Sequence, residues 1–69
     1  MKKRSEEIKV TVGQVTKEFL VEACDVKPVR PNRYKFAVKI KEAGMYKNLG
    51  FIEAASFTIA AQQAFHKHF

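Results

Sequence analysis

The sequence predicts an α+β domain, in which an antiparallel sheet of three to four strands, two hairpins in a meander, packs one face against a C-terminal helix. Three observations predict this fold. Residues 34–41 alternate strictly between core-facing and outward positions, as in a half-buried strand. Residues 8–23 divide into two alternating stretches around Gly13. Residues 57–69 carry apolar side chains at spacings of three and four, which is typical of the buried face of a helix.

The 69 residues, of which 46% are hydrophobic and 29% charged, predict a single domain with one core. Residues 1–7 are expected to form a flexible charged N-terminal arm. One cysteine can form no internal disulfide, and one thiol cannot build a finger-type zinc site. Because no apolar stretch is long enough to span a bilayer and the N-terminal charges are followed by no apolar run, we expect a cytoplasmic protein without a membrane partner.

Residues 8–12 and 15–23 predict the first hairpin, because each stretch alternates. Gly13 can take the first central position of a tight turn, with Gln14 in the second. A single longer strand with a bulge at Gly13 is the alternative.

Residues 26–33 predict a stiff, basic connector. Pro28 and Pro31 exclude a central strand, since proline donates no hydrogen bond to a β-ladder. The connector carries Lys27, Arg30 and Arg33.

The second hairpin begins with the strand of residues 34–41, whose lysines Lys35, Lys39 and Lys41 point away from the core. Residues 42–45 predict the loop, with glycine supplying a positive φ. The return strand is expected from about residue 46 to 54. The alternation fails at residues 49–52, so Gly50 marks a bulge or a close backbone approach. The sequence therefore does not determine how residues 46–54 pair with the preceding strand.

The last element is a helix with Ser56 as its N-cap. A helix across one face of the sheet leaves the other face free for the lysines. The predicted core stripe of the helix consists of Phe57, Ala60, Ala61, Ala64, Phe65 and Phe69.

The net charge of +6 lies entirely within residues 27–47, where seven bases face Glu42 alone (seven minus one gives six). Because adjacent strands and one loop would collect these bases on one surface, we predict nucleic-acid binding there. A solvated face whose lysines protect a sheet edge is the alternative. The predicted nucleic-acid-binding residues are Lys27, Arg30, Arg33, Lys35, Lys39, Lys41 and Lys47.

The residue inventory predicts no catalytic residue, no metal site and no cofactor. Cys24, next to Asp25, has no neighbouring cation in the sequence to activate its thiol. His66 and His68 would point apart on a helix. The three glycines form no phosphate-binding loop. We therefore expect a non-enzymatic protein.

Several stretches of the chain share a pattern with a known family: residues 18–22, residues 36–40, and Ser56, Ala60, Gln62 and Ala64 of the closing helix. At these positions the chain resembles the later part of a double-stranded RNA-binding domain. The chain has no counterpart of that family's first helix. Where the family places lysines at the start of its last helix, this chain has Phe57 and Thr58, so the resemblance carries no RNA-binding residue across.

A second resemblance, in architecture, is to the three-strand-plus-helix DNA-binding domains of the AP2 and integrase arm-binding type. It is carried by residues 34–40, Leu49-Gly50 and residues 61–65. In those domains the sheet face enters a DNA groove, which would correspond to Lys35, Lys39 and Lys41 here. The spacing from Gly50 to the helix is a few residues longer, and the N-terminal hairpin is additional.

These observations predict a small basic domain that binds nucleic acid, by duplex backbone or groove contact, through an open Lys/Arg-rich sheet face. Duplex contact is favoured over base stacking because only Tyr46 and Tyr34 could serve as stacking residues, and the alternation places Tyr34 inside. The first alternative is a phage or mobile-element type inhibitor or accessory protein that docks on a host nucleic-acid-handling protein complex. The second is a homo-oligomeric subunit such as a homodimer, since one helix covers little of the sheet.

Overall fold

A computed structural model describes residues 5–24 and 27–69 of the chain. It confirms the predicted fold class: one antiparallel sheet in the order β1-β2-β3-β4, with one helix packed across it. The elements are β1 (Ser5–Val12), β2 (Val15–Ala23), β3 (Tyr34–Glu42), β4 (Met45–Ala54) and α1 (Phe57–His68).

The first hairpin is a true hairpin and not one bulged strand. Val12 pairs with Val15 around the turn, and within the turn only Gly13 has a positive φ, of 62°. This is the sign pattern of a type II′ turn, which matches the twist of the two strands. β1 starts at Ser5, opposite Glu22, because β2 is long enough to pair with it. Residues 5–7 of the expected arm therefore belong to a strand, and residues 1–4 lie outside the described part.

The second hairpin turns at Ala43 and Gly44, which have φ values of 52° and 77°. Two successive positive φ values define a type I′ turn. The expected glycine is confirmed at Gly44. Ala43 adopts the same left-handed region, in which its Cβ is unfavourably placed.

β4 contains the bulge that the sequence suggested at Gly50. Val38 lies opposite Gly50 and Lys39 lies opposite Asn48, so Leu49 is the extra residue. Gly50 has a φ of 102°, and its N–H donates to Oδ1 of Asn48 at 2.9 Å. One extra residue shifts the alternation by one. Tyr46 precedes the bulge and Phe51 follows it. Because of the shift, the two side chains lie on the same face of the sheet.

The core lies between the sheet and α1. Its largest fully buried side chains come from the two central strands, β2 and β3: Phe19, Phe36 and Ile40. The rings of Phe19 and Phe65 meet edge to face with centroids 6.5 Å apart. The buried residues are Val10, Phe19, Val21, Phe36, Val38, Ile40, Ala54, Ala60, Ala61, Ala64 and Phe65.

The helix begins as predicted. The Ser56 hydroxyl accepts a hydrogen bond from the N–H of Ile59 at 3.2 Å, which satisfies one of the free N–H groups of the first turn. The core stripe is confirmed except at Phe69, which is 56% exposed because it caps the C-terminus beyond the last helical turn. At 12 residues, the helix of the described chain is too short to cross a membrane.

The connector ends in a tight turn from Arg30 to Arg33. Pro31 and Asn32 occupy its central positions, and Asn32 has a φ of 58°, as the third residue of a type II turn requires. The N–H of Arg33 donates to the carbonyl oxygen of Arg30 at 2.9 Å. The connector is therefore held by its own hydrogen bonds, although Val26 lies outside the described residues.

Candidate nucleic-acid interface

The sheet face away from α1, called here the open face, carries the outward side chains of the strands. Lys35, Lys39 and Lys41 lie on it, as the alternation of β3 predicts. Lys47 does not, because it is paired with the fully buried Ile40 and side chains of directly paired residues share a face. The structure thus separates Lys47 from the other predicted lysines.

The open face is not uniformly basic, because the strand register brings three glutamates of the neighbouring strands β2 and β4 next to the lysines of β3. Glu18 lies opposite Lys41, Glu22 lies opposite Ala37, and Glu53 lies opposite Lys35. The outward strand positions carry four lysines and four glutamates, and four minus four leaves no net charge. They are Lys9, Lys35, Lys39 and Lys41 against Glu7, Glu18, Glu22 and Glu53.

Two of these lysines form ion pairs on the open face. Lys39 Nζ lies 3.5 Å from Glu22 Oε1, and Lys9 Nζ lies 3.6 Å from Glu18 Oε1. All four side chains are at least 40% exposed, and exposed pairs of this kind contribute about 0–1 kcal/mol to stability. Their main effect is to cancel the field that a phosphate would meet there.

The end of the open face near the β3–β4 turn, called here the turn end, places Tyr46 among two lysines and two glutamates. The Tyr46 phenol donates a hydrogen bond to Oε1 of Glu7 at 3.1 Å. That bond, followed by partial desolvation and the negative charges of Glu7 and Glu18, raises the pKa of Tyr46 above its ordinary value. Tyr46, Glu7 and Glu18 line a shallow depression of about 400 Å³ together with Lys9 and Lys41.

The opposite end, where the connector meets β3 and β4, is called here the connector end. Phe51 is 60% exposed there, and Lys35 Nζ lies 4.6 Å from the centre of its ring. Arg30 Nε lies 3.6 Å from Glu53 Oε1. A groove of about 400 Å³ at this end is lined by Val29, Arg30, Lys35, Phe51, Ile52 and Glu53.

The excess of positive charge is found at the connector end. Arg30 and Lys35 line its groove, and the connector adds Lys27 and Arg33, both exposed. The charged residues that line the groove are Arg30, Lys35 and Glu53, so two minus one leaves +1 there. The next acid along the open face is Glu22, which lies opposite Ala37, the partner of Phe51. The predicted basic surface is thus reduced to the connector end.

Phe51 is the residue that the sequence did not identify. Because the alternation is broken at residues 49–52, the sequence did not show on which face of the sheet the Phe51 side chain lies. Counting back from the buried Ala54 by twos would have found it, because Ala54 and Ile52 then face the core and Phe51 faces outward.

Within the described residues there is no group of three or more His, Cys, Asp or Glu side chains that could hold a metal ion. Cys24 is half-buried directly after β2, and its N–H donates to the carbonyl oxygen of Lys35 at 2.9 Å. His66 and His68 are both exposed at the C-terminal end of α1.

Comparisons with known proteins assign the chain to no family. No protein-family model, no curated protein and no solved structure matches the chain. A functional proposal for this domain therefore rests on the side chains of the open face and of the connector.

Proposed function

We propose that this domain is a non-enzymatic module that binds the phosphate backbone of nucleic acid at the connector end of the open face. The observation that carries the proposal is the local excess of cations. Arg30 and Lys35 line one groove with Glu53 as its one acid, and the connector also carries the exposed Lys27 and Arg33. Lys and Arg side chains collected on one surface are the main source of affinity for phosphate backbones.

The turn in the connector supports this role of Arg30 and Arg33. Both arginines flank the rigid Pro31-Asn32 pair, and backbone hydrogen bonds join them to each other. An ordered backbone reduces the entropy lost when the guanidinium groups are fixed on a ligand. The contact of Arg30 with Glu53 is long and exposed, so exchanging it for a phosphate oxygen costs little.

The remaining predicted lysines should contribute unequally. Lys39 is paired with Glu22, and Lys41 lies directly opposite Glu18, so each brings an acid close to any phosphate it contacts. Lys47 lies on the other face and should contribute nothing specific. Lys35 also lies opposite an acid, Glu53, but Arg30 contacts that carboxylate at 3.6 Å and lines the same groove. The proposal therefore ranks Lys35 above Lys39 and Lys41.

A fluorescence anisotropy titration tests the proposal. Labelled short duplexes and single strands, of DNA and of RNA, are titrated with wild-type protein at two salt concentrations. Arg30→Gln combined with Lys35→Gln should weaken binding and lower the salt slope by about 0.7–0.9 per lost contact. Lys47→Gln combined with Lys17→Gln is the matched control, since it removes two charges from the other face, where Lys17 is paired with the buried Val10.

Two results would overturn the proposal. One is a wild-type protein that binds none of the probes at low salt. The other is an Arg30→Gln, Lys35→Gln double variant, shown by circular dichroism to be folded, that binds as tightly and with the same salt slope as the Lys47→Gln, Lys17→Gln control.

A protein partner is the second candidate, and the charge-balanced part of the open face favours it. Tyr46 lies at the turn end of the open face, where lysines and glutamates balance, and the 74% exposed Met45 precedes it at the start of β4. Tyr and Met are enriched in protein interfaces, whose cores contain few charges. A nucleic-acid-handling complex is such a partner, as is a second copy of this chain. Pull-down with and without nuclease, using Tyr46→Ala as the variant, separates this candidate from direct nucleic-acid binding.

A further inference from the structure

We infer that Phe51 is a stacking platform for an unpaired base, and that the nucleic acid held at the connector end is therefore single-stranded. This inference rests on the proposed function and specifies its ligand.

The first ground is the exposure of Phe51. Phenylalanine is among the side chains most often buried, yet 60% of Phe51 is accessible at the wall of a groove. Val29, on the connector side of the same groove, is 46% exposed. An apolar ring beside an open groove offers a flat surface to another flat ring.

The second ground is the charge around the ring. Lys35 Nζ lies 4.6 Å from the ring centre, and Arg30 lines the same groove, in which Glu53 is the one acid. A nucleotide presents an aromatic base and an anionic phosphate together. A base on Phe51 would therefore bring its phosphate among these two cations, and Lys35 could exchange its contact with the ring for a contact with phosphate.

The third ground separates single strands from duplexes. Bases in a duplex are stacked on each other and present only their edges, whereas an unpaired base presents its face. A duplex is also stiff, so it cannot bend away from the charge-balanced remainder of the open face, where Glu18 lies opposite Lys41. A flexible single strand can stay at the connector end.

Tyr46, the other exposed aromatic of the open face, is not part of this site. Its phenol is bonded to Glu7, and Glu18 lies close enough to affect its ionisation. In the depression around Tyr46 the carboxylates of Glu7 and Glu18 offset the charges of Lys9 and Lys41, so a phosphate attached to a base on Tyr46 would meet no net positive charge. The proposed path of the nucleic acid is therefore short and contains one stacking position.

Phe51→Ala, with Tyr46→Ala as the matched control on the same face, tests the inference by anisotropy. The probes are labelled oligo-dT and oligo-U, an abasic strand of equal length and a hairpin duplex. Phe51→Ala should weaken binding of both base-bearing single strands by roughly 5- to 150-fold. Binding of the abasic strand and of the duplex, and the salt slopes, should not change, and Tyr46→Ala should bind as wild type does.

Phe51→Trp supplies a direct readout, because the chain contains no tryptophan. The introduced indole should keep single-strand affinity, and its fluorescence should be quenched by oligo-dT but not by the abasic strand. Equal single-strand affinity of wild type and Phe51→Ala, or unquenched indole fluorescence at saturation, would overturn the stacking inference and leave phosphate binding standing. Failure of all probes to bind wild-type protein at low salt would overturn the proposed function itself.

Discussion

Tyr46 and Glu7 join the two edge strands of the sheet through one hydrogen bond of 3.1 Å across the open face. Glu7 lies on β1 and Tyr46 on β4, with β2 and β3 between them. The two side chains must therefore lean over the outward residues of the central strands. This contact occupies the turn end of the open face and leaves the connector end to a ligand.

The ionisation of Tyr46 should report this contact. Glu7→Gln removes the negative charge that holds the phenolic proton, so the pKa of Tyr46 should fall towards its ordinary value. Ultraviolet absorbance titration in a Tyr34→Phe background measures Tyr46 alone, since the chain has two tyrosines. An identical titration with and without Glu7→Gln would show that the hydrogen bond does not form in solution.

The same contact should make stability depend on pH at high pH. A folded-state pKa above the unfolded value means that the stabilisation is fully present below about pH 10, the ordinary phenol pKa. It is lost as pH rises through the raised pKa of Tyr46. Denaturation curves of wild type and Tyr46→Phe should differ by a constant amount at neutral pH and converge above that pKa. A difference that persists at the highest pH would contradict this.

Ala43 should be a site where one substitution raises stability. Its φ of 52° costs an L-residue roughly 1–2 kcal/mol, whereas asparagine before glycine is favoured in type I′ turns. Ala43→Asn should therefore stabilise the domain by about 1 kcal/mol, which raises Tm by roughly 4–8 °C for a domain of this size. Gly44→Ala, at a φ of 77°, should have the opposite effect. A lower Tm for Ala43→Asn would mean that the turn has another conformation.

Val38 and Ala37 are neighbours that should differ sharply in tolerance of charge. Val38 is fully buried in the middle of β3, so Val38→Asp leaves a carboxylate without a partner in the core and should unfold the domain. Ala37→Asp places the same charge on the open face opposite Glu22, which should cost roughly 1 kcal/mol or less. Circular dichroism melting curves decide this. Similar curves for the two variants would mean that the assignment of the faces is inverted.

Local signals were sufficient for most of the fold. Gly13 at the first turn, the alternation of residues 34–41 and the Ser56 cap each act within a few residues, and the structure contains all three features. The turn at Pro31-Asn32 also has a local signal, since proline followed by asparagine fits the central positions of a type II turn. From the sequence we predicted only a stiff connector and did not predict this turn.

The candidate site could be predicted only in part, because it depends on contacts between strands. A count along the chain showed seven bases against one acid, but pairing places Glu18, Glu22 and Glu53 beside the lysines of β3. The open-face positions of Tyr46 and Phe51 depend on a bulge whose register the sequence left open. Both gaps have the same physical cause: the sheet brings together residues that lie far apart in the sequence.

The bulge itself should behave as one cooperative unit. Gly50 has a φ of 102°, which is unfavourable for any residue with a Cβ, and an added Cβ would contact no other atom. Gly50→Ala should therefore lower the free energy of unfolding by roughly 1–3 kcal/mol through backbone strain alone. Asn48→Ala should lose about 1 kcal/mol, since its Oδ1 accepts the hydrogen bond from Gly50. Because both residues support the same bulge, the double variant should lose less than the sum, which urea denaturation of all four proteins measures. Strict additivity would show that Asn48 and Gly50 act independently, and that another contact holds Tyr46 and Phe51 on one face.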